Sequence, residues 1–358
     1  MKILNVDLDN RGYDIYISNA IINDIEKHLK PIVNKRKILI ITDKNVAKYY
    51  LEIIQKCFKN YDFSYVIIEP GEVSKSLNTL EYIYAKMIKL NCDRQTVVIG
   101  FGGGVVGDIA GLLAATYMRG IDFIQIPTSL LAQVDSSVGG KVAVNFNGIK
   151  NIVGAFYQPK AVIIDVNLLT TLETKEFYSG LGEVFKYGLI KDFDFFRWLD
   201  ENLNQIVKLN SEYLIKIIYK SLLIKKEIVE KDERENNIRK ILNFGHTIGH
   251  GIEALGNLRT YTHGQAITLG MIFESKLANK LGLIDNKYYN YIVKVLSRIR
   301  KPVIFTDNQI NYILEIIKHD KKAKNGIPTF VLPVGKGKVD VFNNIDEKVI
   351  RQVLRGGV

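Results

Sequence analysis

The chain has 358 residues, 47% hydrophobic and 24% charged, a composition that excludes disordered, collagenous and mucin-like polymers. It carries 49 Lys and Arg against 38 Asp and Glu, a formal charge of +11. The lysines are dispersed among Ile and Asn and no aromatic residues interleave with a basic patch, so nucleic acid is not the expected partner.

The length predicts two domains. Residues 1–173 alternate short β-branched runs, at 37–42, 65–68, 96–99, 123–126 and 161–164, with stretches of helical period. This is the texture of βαβ units, and it predicts an α/β, Rossmann-like first domain. From 174 to 358 the pattern is mainly α-helical, with long amphipathic stretches at 213–230 and 266–281. Residues 327–333 and 338–341 predict a small extended appendage before a last helix. Cys57 and Cys92 stand apart with no C-x-x-C spacing, which argues for a reducing compartment. The first residues lack the apolar region of an export signal, and no run of about 18 apolar residues occurs. A cytoplasmic protein with no membrane partner is expected.

Gly102-Gly103-Gly104-Val105-Val106-Gly107 fits G-x-G-x-x-G, after a predicted strand and before a predicted helix. Such glycines let backbone approach a pyrophosphate at a helix N-terminus; the competing reading is a tight turn requiring positive φ. The glycines come after several strands, not at the first βα turn. The best ribose-binding acid is Asp43, which precedes them; Asp122 has the usual spacing but opens a strand.

Three of the five histidines, His246, His250 and His263, fall within 18 positions. On a helix His246 and His250 share a face, as two ligands or as one ligand and one acid/base group. A catalytic zinc takes three protein ligands and keeps one position open, so a carboxylate is required. Glu183 and Glu253 both qualify by spacing. Glu183 with Lys186 also fits an ordinary surface ion pair at i,i+3. Lys141, Lys150, Lys186, Lys225 and Arg239, gathered in one site, would suit a substrate with phosphate and carboxylate groups.

Residues 100–141, with Gly102 to Asp108, Tyr117-Met118-Arg119-Gly120 and 127–141, strongly resemble the 3-dehydroquinate synthase family. So do Lys150-Asn151, 154–159, the Glu183 motif, and Asn243 to His250 followed by His263-Gly264. The likeness runs in order from about Asp43 to Lys322. It implies zinc, or cobalt in its place, on Glu183, His246 and His263, with His250 as acid/base group. It implies NAD among Asp43, Asn45, Glu72, Lys75, Gly104, Val105, Val106, Gly107, Asp108, Thr128, Ser129, Lys141, Lys150 and Thr171. Substrate would meet Asp135, Lys141, Lys186, Lys225, Arg239, Asn243 and one of Lys321 and Lys322. Arg119 would reach into the partner subunit of a homodimer. Departures are small: Ser129 where Thr is common, Val142 for Thr, and Gly182 and Gly251 for Ala.

The implied activity is conversion of 3-deoxy-D-arabino-heptulosonate 7-phosphate to 3-dehydroquinate and phosphate. NAD oxidises the substrate transiently, phosphate is eliminated, the ketone is reduced again, and ring opening precedes an intramolecular aldol closure. The alternatives are a metal- and NAD-dependent polyol dehydrogenase, which has no use for so many basic residues, another sugar phosphate cyclase, and a non-enzymatic binding protein.

Overall fold

The structure, a computed structural model, describes residues 1–255, 260–318 and 328–357. The chain divides into two compact units, Met1–Leu172 with Leu209–Glu230, and Glu173–Lys208 with Lys231–Val358.

The first unit opens with an antiparallel pair, β1 (Lys2–Val6) and β2 (Tyr13–Ser18). Then come α1 (Ile25–Val33), β3 (Ile38–Asp43), α2 (Lys44–Cys57), β4 (Phe63–Ile68), α3 (Leu77–Lys89), β5 (Val97–Gly102), α4 (Gly104–Thr116) and β6 (Phe123–Pro127). A separate hairpin, β7 (Lys141–Phe146) and β8 (Ile149–Phe156), precedes β9 (Ala161–Asp165). Seven strands form one sheet in the order β1-β2-β9-β6-β5-β3-β4, parallel from β2 onward.

The continuous apolar runs follow from burial on both sheet faces. Leu39, Ile41 and Val98 pack against Leu80, Ile83, Ile109 and Leu113 on one face. Ile38, Ile40, Val97 and Ile99 pack against Leu29, Val33, Ile54 and Phe58 on the other. All five predicted strands are present, and the sheet is the expected α/β core. Strands β1, β2, β7 and β8 lie outside the predicted set. In β8 the reason is plain: Ile149, Ile152, Val153 and Phe156 are all exposed, so no alternation marks an inner face.

The second unit contains α5 (Thr174–Ile190) and α6 (Phe193–Val207), after which the chain returns to the first unit as α7 (Ser211–Lys231). A single cut after residue 173 assigns α7 to the helical half. Its periodicity specifies an apolar face, including Leu214, Ile218, Leu222 and Val229, but not the core that this face joins. The second unit resumes with α8 (His246–Leu255), α9 (His263–Lys280), α10 (Asn286–Leu296) and α11 (Asp307–Lys318). It ends in the hairpin β10 (Thr329–Gly335) and β11 (Lys338–Asn343), then α12 (Glu347–Arg355). This matches the expected mainly helical half with its extended appendage. Among the described residues no helix is long and apolar enough to cross a membrane.

On α10, burial pushes the Tyr288 hydroxyl up to about 12. The folded state therefore holds this proton more tightly than the unfolded chain, so stability is unaffected below about pH 10 and falls as pH rises through the interval. Relative to Tyr288→Phe, the wild type should lose about 2 kcal/mol between pH 9 and pH 11.5 in urea unfolding. Parallel curves for the two proteins would refute this.

Candidate active site

In a parallel sheet, ligands bind beyond the carboxyl ends of the strands where the winding direction reverses. Here β3 has β4 on one side and β5 on the other, and the reversal lies between β3 and β5. Thr42 pairs with Phe101, so Asp43 and Gly102 end adjacent strands although the acid precedes the glycines in sequence. The unusual order of the two signals is therefore a matter of strand order.

The glycines from 102 to 107 do not adopt positive φ, which removes the tight-turn reading. Their role is close approach. A Cβ on Gly102 would lie 2.6 Å from Val106 Cβ, and one on Gly107 would lie 2.7 Å from Gln125 Oε1. Helix α4 thus begins hard against β5 and β6. Its N-cap, Gly103, makes no side-chain cap. A Cβ on Gly104 would stand 3.0 Å from Ser136 Oγ and one on Gly103 3.6 Å from Ser129 Oγ. Gly103 and Gly104 present no side chain of their own at this helix start, which the Ser129 and Ser136 hydroxyls border, a setting that fits a pyrophosphate.

Asp43 caps α2 through Oδ1, which accepts from the N–H groups of Asn45 and Val46 at 2.8 and 3.0 Å. Asn45 is exposed in the first turn of α2, and Thr128 is buried just beyond β6, its N–H donating to Gly102 O. Ser129 follows; its Oγ accepts from Ala132 N–H at 3.3 Å. Thr171 bonds Tyr50 across 2.8 Å between hydroxyls. Lys75 Nζ lies 2.5 Å from Asp108 Oδ2 and donates to Asn151 Oδ1. Burial outweighs the neighbouring lysine and pushes the Asp108 carboxyl above its usual range. Asn145 donates to Glu72 Oε1 at 2.7 Å and accepts from Asn151 N–H at 2.9 Å. The β7–β8 hairpin is thereby tied to the Glu72–Lys75 turn. Sequence reasoning missed the structural part of Asn145 and Asn151, for which composition and spacing carry no signal. Lys141 and Lys150 sit on the same hairpin.

Also in the first unit, Lys225 on α7 donates to Asp135 twice, to the backbone O at 2.6 Å and to Oδ1 at 2.5 Å. Asp135 belongs to a π-helical turn, Ala132–Ser136. Arg119 is exposed with φ 68°, beside Met118 at φ 48°. Asp122 is not in this region. It immediately precedes β6 and pairs with Arg36 at 2.7 Å and Lys160 at 3.6 Å.

The second unit carries the metal-type cluster. Glu183 and Lys186 lie in the buried middle of α5, so the surface ion-pair reading does not hold. The Lys186 ammonium presses against Glu183 Oε2, while among the described residues nothing donates a hydrogen bond to Oε1. His246 opens α8 and His263 opens α9, each with Nε2 3.8 Å from Glu183 Oε1. The three ligand atoms lie within 4.8 Å of one another. Tetrahedral ligands at zinc distances stand about 3.4 Å apart, so the set fits one dication after small adjustments.

The other imidazole nitrogens are engaged. His246 Nδ1 meets Phe244 O at 3.1 Å, and His263 Nδ1 meets Glu253 Oε2 at 3.3 Å. This arrangement aims both Nε2 atoms at Glu183. Glu183 thus faces the Nε2 side of His263, and Glu253 stands on its Nδ1 side. His250, one turn beyond His246, has its ring centroid 5.5 Å from that of His246.

Arg239 is buried, and its Nη1 donates to Glu233 O. Burial alone would raise the Asp232 carboxyl. N–H groups of Arg239, Asn237 and Asn236, with the Arg239 charge, hold it below its usual range. Asn243 donates to Glu235 Oε1 at 2.6 Å. Lys321 and Lys322 lie outside the described residues.

Comparison with known proteins finds relatives of both halves of the chain. Residues 65–179 match the family model of the 3-dehydroquinate synthase N-terminal domain, and 180–323 that of the C-terminal domain. A 3-dehydroquinate synthase of Thermoanaerobacter sp. (strain X514) is 47% identical over 353 residues, covering 98% of this chain and 99% of the relative. One from Caldanaerobacter subterraneus subsp. tengcongensis is 47% identical over 97% of this chain and 98% of the relative. Among solved structures, 2-deoxy-scyllo-inosose synthase complexed with carbaglucose-6-phosphate, NAD+ and Co2+ superposes with TM-score 0.89 at 25% identity, covering 100% of both chains. With both halves matched in order and the similarity running nearly end to end, the chain belongs to the 3-dehydroquinate synthase family.

Proposed function

We propose that the chain is a lyase that converts 3-deoxy-D-arabino-heptulosonate 7-phosphate to 3-dehydroquinate and inorganic phosphate, the second step of the shikimate route to chorismate and aromatic amino acids. The observation that carries this is the buried Glu183 carboxylate, whose Oε1 accepts no hydrogen bond among the described residues and is faced by two imidazole Nε2 atoms, in a chain of this family. When bound, NAD supplies a reversible hydride acceptor and zinc or cobalt a Lewis acid.

Glu183, His246 and His263 hold the ion. Asp43, Asn45, Glu72, Lys75, Gly104 to Asp108, Thr128, Ser129, Lys141, Lys150 and Thr171 bind the dinucleotide, its pyrophosphate at the start of α4. The first unit is then the NAD-binding domain, and the second the metal- and substrate-binding domain. Asp135, Lys141, Lys186, Lys225 and Asn243 bind the substrate. Ammonium groups stabilise the negative charge of the phosphate as it departs. Arg239 forks onto the substrate carboxylate. His250 exchanges a proton through its imidazole. Arg119, exposed in left-handed backbone, completes the site of a partner in a homodimer working in the cytoplasm.

The test mixes purified protein, zinc, catalytic NAD and the heptulosonate phosphate, and follows inorganic phosphate together with NADH absorbance. The expected result is stoichiometric phosphate with no lasting NADH. Accumulated NADH would identify a dehydrogenase instead. Phosphate released only from a carboxylate-free sugar phosphate would identify another cyclase.

A further inference from the structure

Glu274 lies on α9, eleven residues after His263, and is completely buried. Its Oε2 accepts from Gly245 N–H at 2.6 Å and its Oε1 from Ile248 N–H at 3.1 Å. Both donors belong to the turn that launches α8. The Gly245 N–H and the Phe244 C=O are the two ends of a single peptide group, and that carbonyl is the partner of His246 Nδ1. The chain of contacts therefore runs from the Glu274 carboxylate through one rigid peptide to the imidazole ring.

We propose that Glu274 is a positioning residue for the metal centre, acting through the Phe244–Gly245 peptide to set the orientation and donor strength of His246. The inference rests on the metal reading above. A carboxylate on the N–H polarises the peptide, and its carbonyl becomes a stronger acceptor for Nδ1–H. Nδ1 then carries the proton, and Nε2 presents its lone pair toward Glu183. The turn has nowhere else to go. Gly245 has φ +81°, a Cβ there would lie 2.5 Å from Met271 Cγ, and a Cβ on Gly270 would lie 1.9 Å from Gly245 O. Helix α9 thus supplies one ligand directly and fixes the second through Glu274.

Glu274→Gln keeps the shape but replaces one acceptor with an NH2 group facing an N–H donor. The variant should bind zinc about tenfold to a hundredfold more weakly in chelator competition. Its cobalt-loaded form should show a shifted visible absorption band, while NAD affinity stays within about twofold. Wild-type zinc affinity and an unchanged cobalt spectrum in the folded variant would overturn the proposal. A second measurement needs no variant. By reciprocity, zinc added to the wild-type protein should slow amide exchange at Gly245 and Ile248 by about tenfold and leave β3 unchanged. Equal exchange with and without zinc would also overturn it. Wild-type protein that takes up no zinc would instead sink the metal reading itself.

Discussion

Glu183→Gln should leave purified protein without its metal ion and lower turnover by about a thousandfold or more, with NAD affinity within about twofold of wild type. The expectation follows from where this acid sits. Glu183 is fully buried in α5, and both imidazole Nε2 atoms converge on its Oε1. Two neutral imidazoles alone give a weak, incomplete site, because a dication in a dry interior needs an anionic donor. Glutamine preserves volume and leaves an acceptor beside the Lys186 ammonium, so it is a better probe than alanine, which would strand a buried charge. His263→Ala should likewise abolish metal retention while sparing NAD binding. Elemental analysis for the metal and calorimetry for NAD check both variants. Retention of one ion per chain in either would refute the ligand assignment.

Gly264→Ala should destabilise the second unit by about 3 kcal/mol or more, because the added methyl meets backbone that has no room to move. Its Cβ would fall 1.8 Å from Ser179 O and 2.5 Å from Ser179 C, while Gly264 N–H donates to Ser179 Oγ at 3.0 Å. Only separation of α5 from α9 relieves the overlap. That movement would carry His263 away from Glu183, so metal retention should fall along with stability. Gly335→Ala is the matched control, since among the described residues nothing lies within 4 Å of where its Cβ would be; it should change stability by under about 0.5 kcal/mol. Urea midpoints followed by tryptophan fluorescence of Trp198, in the same unit, compare the two. Equal midpoints would show that α5 and α9 can part without cost.

The parallel strands were legible because burial on both faces demands uninterrupted apolar runs, as in Ile38–Asp43 and Val97–Gly102. The histidine cluster was legible for a chemical reason, the scarcity of imidazole elsewhere in the chain. Spacing could not separate Glu183 from Glu253, because the distinction is which side of His263 each carboxylate approaches. Two departures from family habit make sense only in three dimensions. A Cβ on Gly182 would lie 2.6 Å from Gly264 O, and one on Gly251 would lie 2.8 Å from Ile313 Cγ2. In this chain both positions are filled by their neighbours. Glu274 was invisible for a related reason, since its partners are main-chain N–H groups, which no residue pattern encodes.

The return of α7 has a consequence for biogenesis. Lys225 cannot meet Asp135 until the ribosome has delivered everything up to that helix, including α5 and α6 of the other unit. The first unit, its seven strands already made, must therefore wait without its last helix through the synthesis of some three dozen residues that belong elsewhere, Glu173–Lys208. Any gene fragment severed near residue 172 would yield a half lacking its own closing piece.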